Sequence, residues 1–213
     1  MATVRMEGLR AIDDKYVIKS TKGRIVDIAV RLMSENGHSG ASLRDIAAEV
    51  GINAASIYNH FKSKNEIIME MLEFFEETQD MFMPDLYSLL DMCKTKPIKE
   101  ILDQLNFYYH PSVQETMDRI MVIASMEYRS NERCKDFMRK RLLSLANSYT
   151  RPVLMKLIEL ERIEPIDVEG FIILLNNYCY SAATRNFSPL AVSMEEWLRG
   201  LDVLYTLVKP TGG

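Results

Sequence analysis

Apolar residues recur at helical spacing along nearly the whole chain, and the clearest stretch lies near the front. Leu43, Ile46, Ala47 and Val50 fall at i, i+3, i+4 and i+7, which predicts a short amphipathic helix with one buried stripe. Gly51 follows at once. Glycine enters positive φ without steric cost, so the helix stops there and the chain reverses. Asn53 can cap a second helix of about two turns, with Ile57 and Phe61 as its buried edge and Ala54, Ala55, Ser56, Tyr58, Asn59 and His60 on its other side. Upstream, Ile25, Ile28, Ala29, Leu32 and Met33 share one face of a helix from Thr21 to Asn36 that Gly37 ends. Downstream, Ser63 and Glu66 are spaced as a capping box, and Ile67, Ile68, Met71, Leu72 and Phe75 define a long fourth helix running towards Met83.

Similar capping boxes at Ser112 to Glu115 and Ser193 to Glu196, and Pro97 as a first helical residue, open further helices. These are placed at about 97–109, 112–129, 132–162, 167–185 and 194–208, with a kink or break expected at Pro152, which cannot donate an i to i−4 hydrogen bond. The expected fold is all-α: an N-terminal helix-turn-helix domain of three helices plus a C-terminal helical domain. The division is an arm at 1–19, the helix-turn-helix domain at 20–66 and a body at 67–213.

Composition is compatible with that picture. Of 213 residues 47% are apolar, enough for a sizeable core. No run of 18 uninterrupted apolar residues occurs and the N-terminus lacks a secretory leader pattern, so a cytoplasmic location and no membrane partner are expected. Cys93, Cys134 and Cys179 are odd in number and widely spaced, with no C-x-x-C pair and only three histidines. Reduced thiols, no metal site and no cofactor are expected. The net charge of −4 hides an asymmetry: residues 1–64 hold ten Lys and Arg against seven Asp and Glu, leaving sixteen against twenty-three in the remainder. A basic head on an acidic body suits a phosphate-seeking domain, although a solvated surface of mixed charge also produces an excess this small.

A second helix projecting from the corner at Ala47, small at its start and polar on its outer side, fits a major groove roughly 12 Å wide. There Ala54 and Ala55 can approach thymine methyls, Asn59 an adenine edge, and Tyr58, His60 and Lys64 the phosphates. An ordinary helical corner with surface tyrosine and histidine is the alternative. The residues flanking the turn favour the groove. Ser42, Arg44, Ile46, Ala47, Gly51, Ile52, Ser56, Ile57, Tyr58, His60, Phe61, Ser63 and Lys64, in unbroken register, closely resemble the DNA-binding domain of TetR-family transcriptional regulators. The resemblance is strong over residues 20–75 and rests elsewhere on length and helical layout. It implies that Ser42, Arg44 and the positions from Asn53 to His60 meet double-stranded operator DNA, and that Lys64 holds a phosphate; Lys22 or Arg24 at the start of the first helix can do the same.

In Phe171 to Leu175 five consecutive apolar residues point in every direction around a helix, and Trp197, Leu198, Leu201, Leu204, Tyr205 and Val208 cover a broad arc of the last one. Such helices fill the chain's own core or are covered by a second copy. The resemblance implies the latter, a homodimer through the two C-terminal helices, with Phe171, Leu175, Tyr178, Trp197, Leu201, Leu204 and Tyr205 at the interface. Two reading helices would then lie one DNA turn apart, near 34 Å, on a palindromic operator.

The resemblance also implies a small-molecule effector enclosed in the body, whose binding releases the DNA. Phe107, Tyr108, His110, Met117 and Met121, with Tyr149 and Tyr178 brought in by folding, are the candidate lining, because methionine and amphipathic aromatics adapt to varied apolar shapes; core packing is the competing account. The cations Arg129, Arg133, Lys135, Arg139, Lys140 and Arg141 would suit a phosphorylated effector, or form a solvated face paired with Glu132 and Asp136. Two other functions compete. An architectural DNA-binding dimer would lack the effector. An enzyme would use His110 with Cys134 or Glu115, but no nucleophile elbow, metal spacing or phosphate loop accompanies them.

Overall fold

The computed structural model describes residues 20–105, 111–183 and 193–211. These form ten α-helices: α1 Thr21–Gly40, α2 Leu43–Val50, α3 Lys64–Phe82, α4 Leu86–Thr95, α5 Ile98–Leu105, α6 Pro111–Met126, α7 Glu132–Leu145, α8 Arg151–Glu159, α9 Val168–Ala183 and α10 Met194–Tyr205. A 3₁₀-helix, Ser56–Asn59, and a π-helical turn, Ala146–Thr150, complete them, and among the described residues the sole β pairing is an isolated bridge between Ile163 and Pro210. The all-α class follows. The arm at 1–19 lies outside the described residues.

Two compact units form. Of the described residues, the first comprises those within 20–83 and 111–138, the second those within 84–105, 139–183 and 193–211. In the first, α1 packs on α2, α3 and α6, and α3 packs on α6. Ile25, Val26, Ala29, Val30 and Met33 of α1 are buried, a face turned slightly from the expected one, which leaves Ile28 and Leu32 half-buried. All five positions expected on α3, from Ile67 to Phe75, are buried, and Phe75 meets Phe137 edge-on at 5.0 Å.

The second unit is organised around Leu89, Cys93, Ile101, Leu102, Val153, Leu154, Leu157, Phe171, Leu175, Trp197, Leu201 and Tyr205. Helix α4 was not among the expected elements, although its signals exist: Asp85 accepts from the Ser88 N–H at 2.9 Å as an N-cap, and Leu89 and Cys93 line its buried side. Pro97 precedes α5 and offers its carbonyl to Ile101 N–H, so it is the residue before the first turn and not the first of it. The expected break near Pro152 is present, but it takes the form of the π turn immediately before α8. The Ser193–Glu196 box caps α10 with both reciprocal bonds; the Ser112 side chain lies outside what is described.

Phe171, Leu175, Trp197, Leu201 and Tyr205, expected at an interface between copies, are buried in the chain's own core. Tyr178 and Leu204 pack half-buried against the same cluster. An all-round apolar helix has an inner and an outer side, and these residues occupy the inner one. The outer side exposes Ile173 (60%) and Leu174 (52%) on α9, and Leu198 and Val203 on α10. Tyr178 ties the two helices together: its hydroxyl donates to the Trp197 carbonyl at 2.8 Å and its ring stacks on Trp197 at 6.0 Å. A Cβ at Gly200 would lie 1.9 Å from that hydroxyl, so only glycine permits this approach.

Candidate nucleic-acid interface

Helix α2 begins at a capping box. Ser42 Oγ accepts from Asp45 N–H at 3.1 Å while the Asp45 carboxylate accepts from Ser42 N–H at 2.8 Å. The hydrogen bonds from Ser42 hold the Asp45 carboxyl below the usual carboxylate range, and the Lys64 charge acts in the same direction. Ser42 therefore serves first as a cap, with Lys64 close enough to be felt at the same helix N-terminus.

At the other end Gly51 sits at φ 78°, ψ 33°, and two backbone bonds close the turn, Gly51 N–H to Ala48 and Ile52 N–H to Ala47. Arg24 donates to the Val50 carbonyl at 2.6 Å, so this candidate phosphate contact holds the end of α2. Ile46, Ala47 and Val50 are buried and Arg44 is exposed.

The reading element is shorter than expected. In place of a two-turn α-helix the chain forms a four-residue 3₁₀-helix. Asn53 Oδ1 accepts from Ala55 N–H at 2.8 Å and its carbonyl accepts from Ser56 N–H at 2.8 Å, so the asparagine fixes a tight turn in place of capping a long helix. Ala54 and Ala55 favour a helix, but Ser56, Ile57, Tyr58 and Asn59, which form the 3₁₀ turn, are β-branched, aromatic or short polar types with modest helix propensity. Ile57 and Phe61 are buried as expected and anchor the segment. Above these anchors Tyr58 (54% exposed), Asn59 and His60 face solvent, as do Asn53 and Ala55, while Ala54 and Ser56 are half-buried.

Lys62 is a further exposed cation beside this face that sequence reasoning passed over. Its backbone N–H donates to Glu66 at 2.7 Å, so the expected capping box at Ser63 is only half made: Ser63 Oγ accepts from Glu66 N–H at 3.3 Å, but Glu66 reaches back to Lys62. Lys22 pairs with Glu70 at 2.7 Å and lies 5.5 Å from the Phe61 ring centroid, tying α1 to α3 at the base of the reading segment.

The effector candidates divide between the units. Met117 and Met121 are buried on α6 of the first, alongside Asp118, which accepts from Gln114 at 2.8 Å. Tyr149 and Tyr178 pack against the core of the second. Phe107, Tyr108 and His110 lie outside the described residues. Burial raises the thiols of Cys93, Cys134 and Cys179, with Cys134 pushed up to about 11. None is a ready nucleophile.

Among the described residues no group of three or more His, Cys, Asp or Glu is arranged to hold a metal, and no helix is long and apolar enough to cross a membrane.

Comparison with known proteins agrees with this geometry. The model for bacterial regulatory proteins of the tetR family matches residues 25–71. The chain is 39% identical over 62 residues to the HTH-type transcriptional regulator AcrR of Shigella flexneri, covering 29% of each. It is 50% identical over 46 residues to the negative transcriptional regulator IcaR of the biofilm operon icaADBC in Staphylococcus aureus, covering 22% of this chain and 25% of that one. The matches thus span under a third of these relatives. In fold it is similar to the ketosteroid transcriptional regulator KstR2 of Mycobacterium tuberculosis, with a TM-score of 0.57 and 17% identity over 91% of this chain and 97% of that one. The segment that carries the exposed Tyr58, Asn59 and His60 thus lies within a region, residues 25–71, that matches the tetR family of bacterial regulatory proteins.

Proposed function

We propose that this chain is a DNA-binding transcriptional regulator, not an enzyme, that holds a palindromic operator as a homodimer and represses until a small apolar or amphipathic effector releases it. The observation that carries the reading is the exposed row Tyr58, Asn59 and His60 above the buried pair Ile57 and Phe61. Asn59 is suited to an adenine edge, Ala55 to a thymine methyl, and Arg44, Tyr58, His60, Lys62 and Lys64 to phosphates. Repression is supported by relatives that are themselves repressors or negative regulators.

The dimer uses the outer side of α9 and α10, where Ile173, Leu174, Leu198 and Val203 are exposed, and not the residues buried beneath them. The functional division of the chain remains arm, reading domain 20–66 and body 67–213. The effector acts by binding more tightly to the form that does not fit DNA, since equal affinity for both forms would shift nothing. Its site draws on the buried methionines of α6, Met117 and Met121.

Selection of bound duplexes from random DNA tests the reading. The expected result is an inverted repeat with half-sites about ten base pairs apart, or a multiple of that spacing. Tyr58→Ala and Lys64→Ala should each weaken binding; unchanged affinity in both would overturn the assignment. Retention of full affinity in the presence of every small-molecule fraction of a cell extract would favour an architectural dimer.

A further inference from the structure

We infer that Arg119 is a positioning residue for DNA recognition, the first cation of a charge relay that runs from α6 through α1 to α2; this rests on the DNA-binding reading above. The guanidinium of Arg119 donates through Nη1 to Ser34 Oγ at 2.8 Å and to Glu35 Oε1 at 3.0 Å, both near the end of α1. Its Nε and Nη2 donate to Glu115 at 3.0 and 2.9 Å, one turn earlier on α6. Ser34 Oγ donates in turn to the Arg31 carbonyl at 2.9 Å. The other oxygen of Glu35 lies 3.7 Å from Arg31 Nη1, and Arg31 Nη2 is bonded to Glu49 in the last turn of α2. Signs alternate along the series Glu115, Arg119, Glu35, Arg31, Glu49, and the series crosses three helices.

Three features separate this relay from ordinary surface pairs. Arg119 is only 18% exposed and uses all three of its nitrogens, so its fork fixes direction as well as distance. The relay ends at Glu49, two residues before the Gly51 turn that aims the reading segment. It starts on the helix that buries Met117, Asp118 and Met121, each within two residues of Arg119. Apolar packing joins α1 to α2, and the series of charge pairs, hydrogen-bonded at Arg119 and at Glu49 and an ion pair at 3.7 Å between Arg31 and Glu35, biases the angle between them.

A double-mutant cycle on the full-length protein tests the inference, using a duplex recovered by selection and a random duplex of equal length. Arg119 and Glu49 are separated in the relay by Glu35 and Arg31, so in the absence of coupling the effects of Arg119→Gln and Glu49→Gln multiply. The relay predicts that each weakens the selected duplex roughly threefold to tenfold, and that the double variant is tighter than the product by about threefold or more. Loss should be smaller on the random duplex, and Arg119→Lys, which keeps a cation beside Glu35 but loses the fork, should regain only a minor part of the selected affinity. Multiplicative effects, or equal loss on both duplexes, would overturn the relay. Should Arg119→Gln fail to melt cooperatively, Glu35→Gln takes its place in the cycle with the same expectations. Tyr58→Ala and Lys64→Ala on the same duplex distinguish the failures: if both are silent the DNA reading of this face falls, and if they weaken binding while the cycle is multiplicative only the relay falls.

Discussion

The reading segment and the α9–α10 pair are held by opposite means. Residues 51–60 are shaped by backbone bonds, the turn at Gly51 and the bonds that Ile57 and Asn53 accept, with only Ile57 and Phe61 buried beneath. Asn53 Oδ1 accepts from Ala55 N–H, and the outward side chains Tyr58, Asn59 and His60 face solvent. In the α9–α10 pair the side chains themselves make the joint, through the Tyr178 hydroxyl, the Trp197 ring and the space at Gly200. The first segment is stabilised from behind and leaves its outer face open; the joint between α9 and α10 uses its inward side chains to hold the fold and leaves Ile173, Leu174, Leu198 and Val203 outside it.

Substitution at the anchors should separate the two modes most sharply. Ile57→Ala removes a fully buried side chain and should cost about 2–4 kcal/mol in denaturant unfolding, abolishing DNA binding with it. Tyr58→Ala, one residue away and exposed, should change stability by less than about 0.5 kcal/mol while weakening DNA binding. Next in size, Gly200→Ala should destabilise by about 1–3 kcal/mol, because the tyrosine can yield only by giving up its bond to Trp197. A melt unchanged from the parent protein would show that the joint is looser than described.

The helix ends sharpen the comparison further. Glu161 closes α8 with the same pair of bonds that closes α2, Glu161 N–H to Ile158 and Arg162 N–H to Leu157, at φ 52°. Glu161→Gly should therefore stabilise by about 0.5–1 kcal/mol, whereas Gly51→Ala at φ 78° should destabilise by about 1 kcal/mol, both read from thermal melts. The smallest effect concerns acid. A carboxyl whose folded pKa lies below its unfolded value stabilises fully above that value and loses the contribution as pH falls through the folded one. For Asp45, with a reference of 3.8, the protection of α2 amides, taken relative to the intrinsic exchange rate at each pH, should fall as pH drops below about 4, and Asp45→Asn should remove the dependence.

Much of the first unit could be read from spacing because its helices are one-sided and capped, as at Ser42, Gly51 and Ser63. Phe171 to Leu175 could not be resolved in the same way. Periodicity orients a helix only by contrast between its sides, and here Ile173 and Leu174 are as apolar as the buried Phe171, Ile172 and Leu175. The Asn53 turn departs from the expected cap because one asparagine can cap a helix or replace its first turn, and the sequence carries no signal that separates the two. Arg119 and Glu35 lie 84 residues apart, so no local pattern announces their pairing.

The bond from Arg24 to the Val50 carbonyl has an electrostatic consequence for the neighbourhood of the reading segment. A helix ends in carbonyls that together behave as roughly half a negative charge, a repulsive pole for any polyanion brought near. At α2 the guanidinium masks one of these carbonyls and the Gly51 and Ile52 amides occupy two more. A nucleic acid settling onto Tyr58 and Asn59 would thus meet a neutralised pole.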